Sequence, residues 1–231
     1  DGILDTYADR VRFGLMTFDN DNRRGTNAYD GMFSYASDRA YRARGCTDPA
    51  TLINLGAKRA STDDNTADIV PGGLVSVGPS NADAATLALI NRRVQESLTG
   101  RPAGGSRPEL PSVRPWGPTP VAAMLDDAQT YWTTHPDVTD GSAGGMGDPY
   151  FRCRTRANIL ITDGAPTDYA IRNACQGGGD CPYPLAEQSA MSMAMTGGSN
   201  PAVRTYVIAF NANDSSALSA LTPIAMAGNT T

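Results

Sequence analysis

The chain has 231 residues, of which 40% are hydrophobic and 19% are charged, and its net charge is −5. This length and composition are typical of one globular domain, and the 24 glycines and 16 prolines indicate long loops. The acidic balance and the lack of a Lys/Arg-rich run argue against nucleic acid and anionic membrane surfaces as partners. No apolar run is long enough to cross a bilayer, so we expect no membrane insertion. Both ends of the sequence are typical of positions inside a domain, and we expect residues 1–231 to be one domain, cut at both ends from a longer exported protein.

The cysteines indicate the redox setting, and there are four of them: Cys46, Cys153, Cys175 and Cys181. They include no C-x-x-C pair and the chain has one histidine, so a Cys/His zinc site is not expected. Two disulfides are favoured instead, which places the chain in an oxidising, extracytoplasmic compartment. Of the three possible pairings we favour Cys175 with Cys181, which closes the glycine-rich loop 176–180 and leaves Cys46 for Cys153. Four free, buried thiols are the alternative.

The first eighty residues predict a strand followed by a long insertion. Residues 3–9 have apolar residues at helical spacing, and the apolar segment 11–18 is typical of a strand. The Asp/Asn cluster 19–22 then indicates a turn; a calcium loop is a second interpretation, although the glycine and closing glutamate of such a loop do not follow. We interpret residues 20–80 as a loop-rich insertion with one or two short strands, one of them over the valine-rich segment 73–77.

Four helical patterns follow the insertion. The first covers residues 81–100, where an asparagine cap and a glycine stop enclose apolar residues three or four positions apart. The second begins at Thr119 and Pro120, a favourable cap and first-turn pair, and its apolar face consists of Val121, Met124, Leu125, Ala128 and Trp132. Two later patterns, over residues 185–196 and 217–227, predict a third helix and a short fourth one.

The central strand is predicted where three large aliphatic residues, 159–161, are followed by Thr162, Asp163 and Gly164. A short apolar run closed by a turn signal is typical of a strand that is buried on both faces, as in parallel sheets. A further strand is predicted over residues 203–210. Strands and helices that alternate in this order indicate the α/β class, with a mostly parallel central sheet flanked by crossover helices.

Asp163 and Thr119 are the candidate site residues. Asp163 follows the carboxyl end of the central strand, which is the edge at which ligands bind in open α/β sheets. Thr119 precedes the helix that leads back to the same strand. A carboxylate and a hydroxyl on two loops over one sheet edge are hard oxygen ligands, which favour a cation such as Mg²⁺ or Ca²⁺. Such a cation keeps open positions that a partner's carboxylate can occupy.

The chain resembles a von Willebrand factor A domain in four stretches: Val-Arg-Phe-Gly-Leu-Met-Thr-Phe at 11–18, Gly-Pro-Thr-Pro at 117–120, Ile-Leu-Ile-Thr-Asp-Gly at 159–164 and Val-Arg-Thr-Tyr-Val-Ile-Ala-Phe at 203–210. This resemblance covers most of the chain outside residues 20–80. Within residues 114–168 the chain is more narrowly similar to the type IV pilus tip adhesins of the PilY family, through three motifs: Trp-Gly-Pro-Thr-Pro at 116–120, Asp-Pro-Tyr-Phe-Arg-Cys at 148–153 and Asn-Ile-Leu-Ile-Thr-Asp-Gly-Ala-Pro-Thr at 158–167.

The resemblance implies a Rossmann-like sheet and a metal-ion-dependent adhesion site, in which Thr119 and Asp163 match two of three ligand loops. The third loop, Asp-x-Ser-x-Ser after the family's first strand, is not in this sequence and would precede position 1. The implied protein is not an enzyme but a secreted cell-surface adhesion module at the tip of a type IV pilus (a fimbrium). Its implied partners are a host or surface ligand that presents a carboxylate and other pilus-tip or minor pilin subunits.

Two other functions are alternatives to metal-dependent adhesion. The chain could be a structural pilus-tip subunit that keeps the fold without a working metal site, which the missing third ligand loop would explain. It could also be a metal-assisted hydrolase at the same aspartate edge. The sequence contains no Gly-x-Ser-x-Gly elbow, no His-Glu-x-x-His motif and no phosphate loop, and its single histidine leaves few groups for acid/base catalysis.

Overall fold

The structure, a computed structural model, describes the following residues: 2–7, 11–17, 74–77, 92, 94, 95, 98, 99, 119, 121–135, 138–141, 147–166, 184–195, 201–210 and 215–230. Their helices are α1 (Ile3–Thr6), α2 (Val121–Thr134), α3 (Ala186–Ala194) and α4 (Ser215–Ala227). Their strands are β1 (Leu15–Thr17), β2 (Leu74–Val77), β3 (Arg156–Thr162) and β4 (Val203–Ala209). None of the described helices has the length and apolarity that a membrane span requires.

The strands form two pairs. β3 and β4 are parallel, with Arg156 opposite Val203 and Thr162 opposite Ala209. β1 and β2 are antiparallel, and β2 confirms the predicted short strand within residues 73–77. Because parallel strands need a crossover connection, and α3 lies between β3 and β4 in the chain, the described residues form an α/β fold. Within the part of the chain that the structure describes, the two pairs are separate sheets.

Helix α2 buries the apolar face that the sequence predicts. The amide of Val121 donates to the carbonyl of Thr119 at 3.0 Å, and the helix continues to Thr134. Most of its buried apolar residues lie three or four positions apart, as a buried helix face requires: Val121, Ala122, Leu125, Ala128 and Tyr131. Asp126 and Asp127 of the same helix are also buried. Burying a leucine side chain such as that of Leu125, which is 2% exposed, stabilises the fold by about 1.5–3 kcal/mol.

One hydrophobic core joins the helices to one face of the parallel pair. Leu160 of β3 and Val203 of β4, each 3% exposed, belong to the same buried cluster as residues of three helices. The helical members are Val121, Ala122, Leu125 and Ala128 of α2, Ala186, Ala190 and Met193 of α3, and Leu221 and Ile224 of α4. The three helices therefore cover the face of β3 that Leu160 occupies.

The opposite face of the parallel pair is exposed and apolar. Its apolar side chains have exposed fractions of 44–59% and come from both strands and from the residue that follows β4: Ile159, Ile161, Tyr206, Ile208 and Phe210. The prediction that β3 is buried on both faces is therefore wrong for this structure. The aliphatic run predicts burial of both faces, but α2, α3 and α4 all pack on the Leu160 side.

The carboxyl end of α4 closes the outer edge of β4. Asn229 has a positive φ of 58°. The amide of Thr230 donates to the carbonyl of Ala225 at 3.2 Å, and the amide of Asn229 donates to the carbonyl of Met226 at 3.1 Å. These two bonds form a Schellman motif. Beside it, the amide of Thr205 donates to the carbonyl of Gly228 at 3.2 Å, and the Thr230 hydroxyl donates to the carbonyl of Thr205 at 2.6 Å.

Trp132 and Asn158 connect α2 to the parallel pair. The indole Nε1 of Trp132 donates to Asn158 Oδ1 at 2.7 Å, and Asn158 Nδ2 lies 3.4 Å from Thr205 Oγ1. A half-buried amide held in this way fixes the position of the end of α2 over the first half of β3.

Replacing Trp132 with phenylalanine is expected to lower the free energy of unfolding by about 1–2 kcal/mol, because Asn158 Oδ1 loses its donor and the smaller phenyl ring packs less against the core. Urea denaturation followed by circular dichroism measures the change. Tyr150→Phe is the matched control, since Tyr150 is 60% exposed and its ring contact with Arg154 survives the substitution. Equal losses in both variants would contradict a role for the Trp132–Asn158 bond.

Candidate functional site

The turn that follows β3 presents Asp163 to solvent. Thr162 is 5% exposed, and its carbonyl accepts the amide of Phe210 at 2.8 Å, which ties the end of β3 to the end of β4. The Thr162 hydroxyl lies 3.2 Å from the carbonyl oxygen and 3.4 Å from the amide nitrogen of Gly164, so it both donates to and accepts from the turn. Asp163, between these two anchored residues, is exposed.

Thr119 is expected at the same end of the sheet as Asp163, because a helix that connects parallel strands runs back along the sheet. Trp132 of α2 contacts Asn158 in the first half of β3, and Val121 at the start of the helix belongs to the same buried cluster as Leu160. The eleven residues from Trp132 back to Val121 span about 16 Å of helix. The five residues from Asn158 to Asp163 span about 17 Å of strand. If the two axes are parallel, the start of α2 is level with the turn that carries Asp163, and this placement stays a prediction.

The chemistry of the Thr119–Asp163 edge is that of oxygen ligands. Thr119 is half-buried and takes part in a further polar interaction of its own, whereas Asp163 is exposed. A hydroxyl and a carboxylate suit Mg²⁺ or Ca²⁺, and the role of the two residues as metal ligands stays a prediction. Within the described ranges, no group of three or more His, Cys, Asp or Glu side chains is placed to bind one metal ion. This finding does not bear on Thr119 and Asp163, because they supply only one such side chain.

The cysteine predictions fall mainly on residues that the structure does not describe. Cys153 is exposed, in the turn that precedes β3. Its predicted partner, Cys46, lies outside the described residues, as do both members of the predicted pair Cys175–Cys181. The two disulfides therefore stay predictions. The insertion over 20–80 has only β2 within the described residues, and the Asp/Asn cluster 19–22 lies outside them.

A second polar group is centred on Asp148, at the opposite end of the sheet. Its side chain is 5% exposed, Oδ1 accepts the amide of Tyr150 at 2.9 Å, and Oδ2 accepts Nε of Arg154 at 2.6 Å. Arg12, which precedes β1, has its Nη1 atom 4.0 Å from Asp148 Oδ1. One buried carboxylate therefore holds together the segments that lead into β1 and β3.

Arg156 packs beside this carboxylate between aromatic rings. It is 5% exposed, its guanidinium carbon lies 4.1 Å from the centre of the Phe151 ring and 5.5 Å from that of Trp132, and Nη2 donates to the carbonyl of Phe151 at 3.2 Å. Burial lowers the pKa of Arg156, while the negative charge of Asp148 raises it and the positive charge of Arg154 lowers it. The carboxylate thus partly offsets the desolvation of the cation.

Arg12 experiences the same balance of effects. Burial is the largest cause that lowers the pKa of Arg12, the charge of Arg154 lowers it further, and the charge of Asp148 raises it. Sequence reasoning noted Asp148 only as part of a motif. The available signal was charge patterning, since residues 148–156 contain one aspartate among three arginines. Such a stretch indicates a carboxylate that neutralises several cations.

The two ends of the parallel pair therefore differ in chemistry. At the carboxyl end, an exposed carboxylate on an anchored turn is free to meet a ligand from solvent. At the amino end, the carboxylate of Asp148 is buried and engaged by the protein's own cations, which is a structural arrangement. Comparison of the chain with protein-family models, with curated proteins and with solved structures returned no significant match.

Proposed function

We propose that the chain is a metal-ion-dependent adhesion module of an exported cell-surface protein, at the tip of a type IV pilus. Its fold is then that of a von Willebrand factor A domain, with a Rossmann-like, mostly parallel sheet. The observation that supports this proposal best is the exposed carboxylate of Asp163, held on an ordered turn at the carboxyl end of a parallel strand.

The proposed mechanism is binding without a chemical reaction. Thr119 and Asp163 supply a hydroxyl and a carboxylate oxygen to a Mg²⁺ or Ca²⁺ ion, and water fills the remaining positions. A carboxylate on a host or surface ligand displaces one water and completes the coordination. Association with other pilus-tip or minor pilin subunits uses other surfaces. Since the bond to the partner passes through the ion, removal of the ion releases the partner.

Replacing Asp163 with asparagine is expected to weaken binding of Mg²⁺ and Ca²⁺ by at least about tenfold, because the loss of even an outer-shell partner of a metal ligand has that effect. Isothermal titration calorimetry with each chloride salt measures the affinity. Thr119→Val tests the second ligand, since it removes the hydroxyl and nearly keeps the shape. Thr119→Ser keeps the hydroxyl and is expected to bind normally.

The matched control for Asp163→Asn is Asp140→Asn. Asp140 is also exposed, but it follows the end of α2 and so lies at the amino end of β3. Equal metal affinity of the parent and the Asp163→Asn variant would overturn the proposed site. A parent chain without metal affinity would favour the structural pilus-tip subunit, and ester or phosphate hydrolysis that disappears with Asp163→Asn would favour the metal-assisted hydrolase.

A further inference from the structure

The guanidinium of Arg154 is held in place on one side and open on the other. Its Nε atom donates to Asp148 Oδ2 at 2.6 Å, and its guanidinium carbon lies 5.1 Å from the centre of the Tyr150 ring. Within the part of the chain that the structure describes, Nη1 and Nη2 of Arg154 donate no hydrogen bond. The side chain is 30% exposed. Since Nε faces a buried carboxylate, the two Nη groups are the part of the guanidinium that is left for a ligand.

The charges around Asp148 include more cations than this carboxylate can neutralise. Arg12, Arg154 and Arg156 all lie within its electrostatic reach. Burial is the main cause that lowers the pKa of Arg12 and Arg156, and the charge of Arg154 lowers both further. Arg154 therefore repels two cations that the protein has already desolvated. An anion that binds Arg154 from solution would reduce this repulsion.

The open side of Arg154 fits one carboxylate. The two Nη atoms of a guanidinium form parallel hydrogen bonds to the two oxygens of a carboxylate. A phosphate has three such oxygens and is bound best by several guanidinium groups. Arg156 is 5% exposed and enclosed by aromatic rings, and the side chain of Arg12 is 17% exposed. Arg154 is the most exposed of the three, so the site offers one pair of donors.

The ring of Tyr150 adds an apolar contact beside these donors. Tyr150 is 60% exposed, and its amide donates to Asp148 Oδ1 at 2.9 Å, so an open ring is carried on an anchored backbone. A glutamate side chain has a carboxylate and an apolar stem, and an apolar neighbour in the same peptide extends the contact with the ring. An inorganic anion has no apolar part. The pair of features therefore favours an acidic peptide over a small ion.

We propose that Arg154 and Tyr150 form a docking site for an acidic segment of a partner polypeptide. A glutamate carboxylate of the partner accepts hydrogen bonds from Nη1 and Nη2 of Arg154, and an apolar neighbour of that glutamate packs on the Tyr150 ring. Asp148 is a positioning residue, because it holds Nε of Arg154. The site lies at the opposite end of the sheet from Asp163 and uses no metal ion, so it stands or falls separately from the function proposed for Asp163.

A peptide titration of the 231-residue chain, followed by NMR, tests the proposal. The probe is the acetylated and amidated peptide Gly-Leu-Glu-Leu-Gly, in which the glutamate carboxylate is the only charge. The buffer has little salt, no phosphate or carboxylate, and no divalent cations. We expect the Nε–H signal of Arg154 to move until it saturates, while that of Arg204, which is exposed on β4, stays in place. The same peptide with glutamine in place of glutamate should move neither signal.

Arg154→Lys and a matched control separate the guanidinium from its charge. Lysine keeps the positive charge but lacks the paired donors, so the affinity is expected to fall at least about fivefold, as for the loss of one charged hydrogen bond. Arg152→Lys makes the same change at an exposed arginine of the same turn, and its effect should stay below about twofold. Binding to both variants is followed at the Tyr150 amide. If Arg154→Lys also moves the amide of Leu160 in the core, the parent chain with the two peptides decides alone.

Three outcomes overturn the proposal. One is an Arg154 signal that does not move up to the solubility limit of the glutamate peptide. Another is an equal loss of affinity in Arg154→Lys and Arg152→Lys, which would mean that the peptide responds only to the overall charge of the turn. The third is a shift of the Arg154 signal at lower concentrations of sodium phosphate or sodium glucuronate than of the peptide, which would make the ligand a phosphate or an acidic sugar.

Discussion

Replacing Asp148 with alanine is expected to lower the free energy of unfolding by about 3 kcal/mol, the low end for breaking a buried ion pair. The carboxylate accepts one backbone amide and the guanidinium of Arg154, and it lies 4.0 Å from Arg12. Burial lowers the pKa of Arg12 and Arg156, and Asp148 is the anion that raises both. Its removal leaves two desolvated cations beside Arg154. Urea denaturation followed by tryptophan fluorescence measures the loss.

Two further variants separate charge from hydrogen bonding at this position. Asp148→Asn keeps an oxygen that can accept the amide of Tyr150 but removes the negative charge, so most of the loss should remain. Arg152→Ala is the control in the same turn, because Arg152 is exposed, and its effect should stay within about 0.5 kcal/mol. A fully stable Asp148→Asn variant would show that the charge contributes nothing to holding the strands.

Replacing Gly228 with alanine is expected to lower the free energy of unfolding by about 2–3 kcal/mol, as overpacking against fixed atoms does. A Cβ at this position would lie 2.6 Å from the carbonyl oxygen of Thr205, 2.8 Å from its Cβ and 3.0 Å from its amide nitrogen. Two of these atoms are backbone, so the strand cannot yield by a rotamer change. The end of α4 must then move away from β4 and break the bond between Gly228 and Thr205.

Gly164→Ala is the matched control for this substitution, since a Cβ there would meet no atom within 4 Å. Both changes restrict the unfolded chain equally, so the difference between them isolates the clash at Thr205. Thermal denaturation of the two variants and the parent gives the comparison. A Gly228→Ala variant as stable as Gly164→Ala would show that α4 does not need its close approach to β4.

Local sequence patterns predicted the described elements well, because each depends on neighbours in the chain. The apolar period and the Thr119 cap predicted α2, and the structure confirms the helix over Val121–Thr134. The apolar runs predicted β3 and β4, and the valine-rich segment predicted β2. The parallel direction of β3 and β4 followed from the helical segment between them, which needs a crossover.

Tertiary features were less accessible, because they depend on what lies across the molecule. The run 159–161 gives the same pattern whether helices cover one face of its strand or both, and here they cover one. The group of charges around Asp148 includes Arg12, which is more than a hundred residues away in the chain. Charge spacing along the sequence therefore does not reveal it. For the candidate site, the sequence predicted Asp163 at a strand end and Thr119 at a helix start, and their metal chemistry stays a prediction.

The closed outer edge of β4 has a consequence for assembly. At Thr205 that edge is taken by the carbonyl of Gly228 and the hydroxyl of Thr230. Edge-to-edge polymerisation needs two open edges on every molecule, one for each neighbour. Because the amide and the carbonyl of Thr205 are both paired on this side, this part of β4 offers neither group to the backbone of a neighbouring molecule.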